Sequence, residues 1–212
     1  MADFDFDHRK AVRHLRTADP ALAEVMARVG PFAMALKSSC SLFTALAEAI
    51  VYQQLSTKAA ATIYGRVEAL FPCSSNGFTP QDVLRAPPDT LRAAGLSAAK
   101  VLALQDLARR VQDDELPLLE EARTMDDAAL IDRLIEVRGI GRWSAQMFLM
   151  FRLGRPDILP LEDYSLRRAY AIAFRKRALP SPRTLERHGE KWRPYRTVAC
   201  WYLWQTLDLP PV

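Results

Sequence analysis

Asp163 stands directly before Tyr164-Ser165-Leu166-Arg167-Arg168, a run with helical spacing. An Asp in that place is most simply an N-cap, its side chain accepting from the free N–H groups of the first turn. It could equally hold an ionised carboxylate at the end of a helix, where a cation developing on a substrate would be stabilised. The two roles are compatible, because capping donors keep the negative charge in place.

About twenty residues upstream lies Leu134-Ile135-Glu136-Val137-Arg138-Gly139-Ile140-Gly141-Arg142-Trp143-Ser144-Ala145. A helical pattern runs into Gly-Ile-Gly and another leaves it. Gly139 and Gly141 allow a sharp turn with exposed amides. Those amides sit at a helix N-terminus, which favours an anion. Arg138 and Arg142 flank the turn, and Ile140 can anchor it in the core. The segment reads as a phosphate clip; a tight turn between two helices with no ligand uses the same residues.

The elements that must position these groups are helices. Asp19-Pro20 opens a helix that Gly30-Pro31 stops. Ser41 to Gln54 and the run after Ser56 or Thr57 follow, and Phe71-Pro72 to Gly77 reads as a loop. Short helices start at Thr79-Pro80 and Pro88-Asp89, the second ending at Gly95. Ser97 caps a long helix and Asp126 another. Further helices are expected over Arg142 to Leu153, over Ser165 to Phe174, from Ser181-Pro182, and from Pro194 to about Leu207. No segment alternates with period two. The fold class is all-α, with about ten helices and no internal repeat.

Composition excludes several classes. Half of the 212 residues are hydrophobic and a quarter charged, as in ordinary globular proteins and unlike a disordered tail, a collagen or a coiled coil. No apolar run approaches the ~20 residues of a membrane span, and no signal-peptide core is present, so a cytoplasmic chain without membrane contact is expected. Cys40, Cys73 and Cys200 are too few and too scattered for a disulfide framework or a metal site, and reduced thiols are expected. Residues 133–196 carry fifteen Lys/Arg against six Asp/Glu, a net +9, whereas the rest of the chain is net −5. A basic block on an otherwise acidic chain suggests a polyanionic partner; a solvated helical surface is the alternative.

Taken together, these motifs resemble the helix-hairpin-helix DNA glycosylases, the superfamily that includes endonuclease III, and within it the 3-methyladenine branch of the AlkA and Mag type. GIGRWSAQ is similar to the hairpin and LPLEDYSLRR to the segment with the catalytic aspartate. Ile50-Val51-Tyr52-Gln53-Gln54-Leu55-Ser56 is similar to the loop that enters the minor groove, and Lys191-Trp192-Arg193-Pro194-Tyr195-Arg196 to the C-terminal end. The likeness covers about residues 36–208.

The resemblance implies two helical subdomains with an active-site cleft between them. A six-helix barrel is expected over 38–156, with its hairpin at about 134–146, and a second subdomain from 1–37 plus 157–212. It implies a glycosylase that flips an alkylated purine out of duplex DNA and hydrolyses its glycosidic bond in base excision repair. Asp163 would be the catalytic carboxylate and Leu55 the wedge that fills the vacated stack, although a helix-end core leucine is the plainer role. Trp143, Met147, Tyr164 and Trp204 would line the base pocket, and each aromatic could instead be core. Gly139, Ile140, Gly141, Arg138 and Arg142 would bind phosphate, with Arg167 and Arg168 as further backbone contacts.

Departures from the family pattern sharpen the expectation. Lyase members carry a lysine after Gly-x-Gly-Arg, and here the position is Trp143, so hydrolysis without strand cleavage is implied. Iron–sulfur members carry four cysteines after the last helix; none stands there, so no cluster and no certain metal is expected. A structural monovalent cation at the hairpin is the one ion the resemblance leaves room for. The partner would be double-stranded DNA with a damaged base, bound by a monomer, in the nucleoid of a bacterium or the nucleus of a eukaryote. His8, His14 and His188 lie outside all four motifs and suit surface or capping roles. The competing functions are a non-catalytic helix-hairpin-helix DNA-binding module, which would need neither Asp163 nor aromatic faces, and a glycosylase for deaminated or oxidised bases.

Overall fold

The computed structural model describes residues 4–71 and 77–210. The expected loop at Phe71-Pro72 to Gly77 lies largely outside them, as does Cys73. Within the described residues the chain is all-α, with thirteen α-helices, one 3₁₀ turn and no strand. In order these are α1 (His8–Ala18), α2 (Pro20–Val29), α3 (Leu42–Tyr52), α4 (Thr57–Ala69), α5 (Pro80–Arg85), α6 (Pro88–Ala93), α7 (Ala98–Gln112), α8 (Leu119–Thr124), α9 (Asp127–Leu134), α10 (Arg142–Phe151), α11 (Tyr164–Ala173), α12 (Pro182–Gly189) and α13 (Arg196–Gln205).

Most helix starts follow from local hydrogen bonding. Asp19, Ser56, Ser97, Asp126, Asp163 and Ser181 each accept from first-turn N–H groups, and Ser41 forms a reciprocal capping box with Thr44. Gly30, Gly95 and Gly154 follow helices with positive φ, as helix-stopping glycines do. Two helices escaped the sequence reading. In α1 the charged sequence HRKAVRHLRTA hides the pair Ala11 and Leu15, which buries one turn apart. The other, α8, is a single short stretch burying Ala122. Several ends also move; α10 stops at Phe151, α11 at Ala173 and α13 at Gln205, each one or two residues early. α3 stops at Tyr52 and not Gln54, because Gln54 turns left-handed at φ 56°. α11 begins one residue early, at Tyr164. α13 begins at Arg196, two residues after Pro194.

The chain divides into two compact units. Ser38–Phe148 form one; the segments before and after them form the other. In the first, α7 is the central helix. It packs against α3, α5 and α6, burying Leu104 and Leu107 beside a core that includes Leu46, Ile50, Val83 and Leu91. In the second, α13 packs on α1, α2 and α11, and Trp192, Tyr170 and Tyr202 are fully buried. The centre of this unit is polar. Asp19, only 2% exposed, receives the indole N–H of Trp192 at 2.9 Å, His188 Nε2 at 2.9 Å and Lys191 Nζ at 3.2 Å. His188 therefore has a structural role, as a partner of the buried Asp19, that its position outside every motif concealed.

Candidate active site and nucleic-acid interface

In the unit formed by the two ends of the chain, Asp163 is 9% exposed and caps α11. Its Oδ1 accepts the backbone N–H of Leu166 and, at 3.3 Å, the indole N–H of Trp204. Trp204, half-buried, stacks on Phe151 with centroids 6.0 Å apart and planes 27° from parallel. Its position is set by α13, anchored where Thr197 accepts Ile158 N–H and donates to the Arg155 carbonyl. A carboxylate held by a helix end and an indole is kept oriented, and its charge can stabilise a nearby cation. Tyr164, the next residue, is 65% exposed and so is no core aromatic. Arg167 donates from Nε to the Pro180 carbonyl at 2.8 Å, while Arg168 is exposed.

In the other unit the hairpin joins α9 to α10. Ile140 is buried, as an anchor must be, while Arg138, Gly139, Gly141 and Arg142 are exposed. Gly139 adopts φ 81°, a conformation that β-carbon-bearing residues resist, and a Cβ there would stand 3.3 Å from that of Ala103. Gly141, immediately before α10, has open space around it. The hairpin backbone is pinned from α7: Asp106 Oδ2 accepts Arg138 N–H at 2.9 Å. Burial opposes the charge of Asp106, but that N–H and the Arg110 guanidinium outweigh it and hold the carboxyl below the usual range. Trp143 (47% exposed) and the half-buried Met147 stand one turn apart on α10, on one face.

The loop after α3 lies in the same unit. Leu55 is 39% exposed, so it is not the core leucine of the plainer reading. Gln53 donates from Nε2 to the Gly139 carbonyl at 2.8 Å, and Lys100 Nζ donates to the carbonyls of Val51 and Gln53 at 2.7 and 2.9 Å. Gln53, Lys100 and Asp106 were not singled out from sequence. The available signal was the spacing of Lys100, Ala103 and Asp106, each pair of successive residues lying about one turn apart along α7.

Among the described residues no cluster of His, Cys, Asp and Glu could hold a metal ion, and no helix is long and apolar enough to cross a membrane. Cys40 is exposed; Cys200 is buried, which pushes its thiol far up from the ordinary range.

Comparison with known proteins identifies the family. The chain is 37% identical over 166 residues to DNA-3-methyladenine glycosylase 1 of Schizosaccharomyces pombe, covering 77% of this chain and 72% of that one. Its fold superposes on the S. pombe 3-methyladenine DNA glycosylase Mag1, solved with abasic DNA, at a TM-score of 0.83 with 33% identity, covering 94% and 97% of the two chains. A DNA-3-methyladenine glycosidase from Bacillus halodurans gives the same TM-score at 34% identity, covering 92% and 88%. The family model for the HhH-GPD superfamily base excision DNA repair protein matches residues 47–194, and the chain belongs to that superfamily.

Proposed function

We propose that this chain is a monofunctional DNA glycosylase that flips an alkylated purine, such as 3-methyladenine or 7-methylguanine, from duplex DNA and hydrolyses its glycosidic bond, opening base excision repair. The observation that carries this reading is the buried, doubly hydrogen-bonded carboxylate of Asp163. It is supported by the resemblance to relatives named DNA-3-methyladenine glycosylases. A DNA-binding module would need no such carboxylate.

In the proposed reaction the C1′–N bond breaks with its electron pair leaving on the purine, whose methyl-induced positive charge is thereby cancelled. The sugar becomes an oxocarbenium cation, which Asp163 stabilises electrostatically. Water then adds to C1′, and its proton passes to Asp163 or to solvent. A cationic base is already a good leaving group, so no strong general acid is required. Because Trp143 occupies the lysine position of the lyases, no amine attacks the sugar, and the product is an intact abasic strand.

Selection rests on π faces and a soft sulfur. Tyr164 and Trp204 adjoin Asp163 in one unit; Trp143 and Met147 line a helix face in the other. Such groups favour a cationic purine by about 1–2 kcal/mol when desolvated and read no hydrogen-bond pattern. Leu55 is the wedge; Gly139, Gly141, Arg138 and Arg142 take phosphate. The chain works as a monomer, in the compartment that holds the DNA.

The test is a panel of single-lesion duplexes under single-turnover conditions, with a methylated-DNA assay for the unstable bases. Methylpurines should leave fastest, ethenoadenine and hypoxanthine slower, and 8-oxoguanine not at all. Faster release of 8-oxoguanine or uracil would overturn the alkylpurine assignment. A covalent adduct trapped by borohydride would overturn the hydrolytic one.

A further inference from the structure

α3 ends without a glycine, and its last carbonyls need partners. The chain leaves it through Gln54 in a left-handed conformation, which is unfavourable for a residue with a β-carbon, so the turn must be held by something outside it. Lys100 supplies the hold. Its ammonium bridges the carbonyls of Val51 and Gln53 at 2.7 and 2.9 Å.

Local rules oppose a lysine at this position. Lys100 is the third residue of α7, where the helix dipole disfavours a cation, and burial depresses the affinity of its amine for a proton. A lysine exposed at the same position would escape the cost of burial. The compensation is the opposite end of another dipole, the carbonyl terminus of α3.

The same face of α7 meets the hairpin. Lys100 holds the loop, Ala103 packs under Gly139, and Asp106 accepts Arg138 N–H at 2.9 Å. Gln53 closes the circuit by donating to the Gly139 carbonyl at 2.8 Å. Loop and hairpin are thus bonded both to each other and to one helix.

We propose that Lys100 is a positioning residue for base flipping, clamping the carbonyl end of α3 so that Leu55 is presented at a fixed place relative to the phosphate-binding hairpin. The proposal rests on the reading of Leu55 as the wedge. With the clamp in place, a phosphate gripped at Gly139 and Gly141 sets where Leu55 meets the base stack. Without it, Leu55 must be ordered during each flipping event.

The experiment is a double-mutant cycle between Lys100→Met and Leu55→Ala, read by single-turnover release of 7-methylguanine from a fully paired duplex. Lys100→Met should slow release about tenfold, the scale expected for losing charge-assisted hydrogen bonds, and slow the fluorescence rise of 2-aminopurine placed beside the lesion by the same factor. In the Leu55→Ala background the Lys100 substitution should cost less than about twofold more. Lys100→Arg, which keeps donors for both carbonyls, should recover most of the rate. Equal losses in both backgrounds would reduce Lys100 to general support of the fold and overturn the proposal, as would an unchanged rate. A slow Lys100→Met enzyme beside a fully active Leu55→Ala enzyme would remove Leu55 as the wedge, and this role of Lys100 with it. Failure of the wild-type enzyme to release 7-methylguanine at all would strike the proposed function itself.

Discussion

The indole N–H of Trp204 lies 3.3 Å from Oδ1 of Asp163, the same oxygen that accepts the Leu166 amide at the start of α11. One carboxylate oxygen is therefore engaged both by the helix it caps and by a side chain 41 residues away. Capping and charge placement are one arrangement, and substitution can separate them.

Asn caps helices about as well as Asp, so Asp163→Asn should change stability by less than about 0.5 kcal/mol while abolishing base release. DNA affinity should hold or rise, since a negative charge is lost. Asp163→Ala should abolish release and cost about 1 kcal/mol of stability as well. Denaturant unfolding beside a glycosylase assay checks both. Near-wild-type excision by Asp163→Asn would leave Asp163 only its cap.

The two hairpin glycines should behave differently. Gly139 sits at φ 81° with Ala103 beneath it, so Gly139→Val should destabilise the fold by about 2 kcal/mol and weaken binding to damaged and undamaged duplex alike. Gly141 has open space around it, so Gly141→Ala should fold normally. Its loss should appear only in DNA affinity, because a methyl there would meet a closely approaching phosphate. Titrations across salt concentration measure this; each phosphate contact adds about −0.9 to the log–log slope. A Gly141→Ala protein with unchanged affinity would place the phosphate elsewhere.

The buried Asp19 cluster makes stability depend on pH. Burial works against the Asp19 charge, yet Trp192, His188 and Lys191 outweigh it and hold the carboxyl below its ordinary value. Burial also dominates at His188, whose imidazole is held below its ordinary value despite Asp19. The geometry suits a neutral ring, with Nε2–H donating to Asp19 and Nδ1 accepting from Tyr170 at 3.0 Å. In the unfolded chain His188 takes a proton below about pH 6.5, before the folded protein does. Its contribution is therefore complete above that pH and is lost as pH falls toward the lowered folded value; that of Asp19 is lost only below about pH 4. The melting temperature should drop as pH falls below about 6.5, and His188→Gln should flatten that part of the curve. Asp19→Ala should cost about 2–3 kcal/mol at neutral pH, since it removes the α2 cap and strands the buried Trp192 N–H. A pH profile identical in His188→Gln would show that other groups govern this range.

Sequence alone determined the helical architecture, the cap at Asp163 and the turn at Gly139, because all of them rest on short-range rules. Ser41, Ser97 and Asp163 cap the helices that follow them whatever lies elsewhere, and Gly139 turns the hairpin because no other residue takes that backbone angle readily. Short-range rules also explain the misses. In α1 the buried pair is outnumbered by charges, and the left-handed turn at Gln54 has no glycine to announce it. Only the tertiary structure decided which polar residues act together. Lys100 meets its carbonyls across 47 and 49 residues, Gln53 meets Gly139 across 86, and His188 meets Asp19 across 169. A lysine, a glutamine and a histidine are ordinary surface residues by type. They become a clamp, a tie and a link to a buried carboxylate only when packing removes water and leaves a distant carbonyl or carboxylate as the remaining partner.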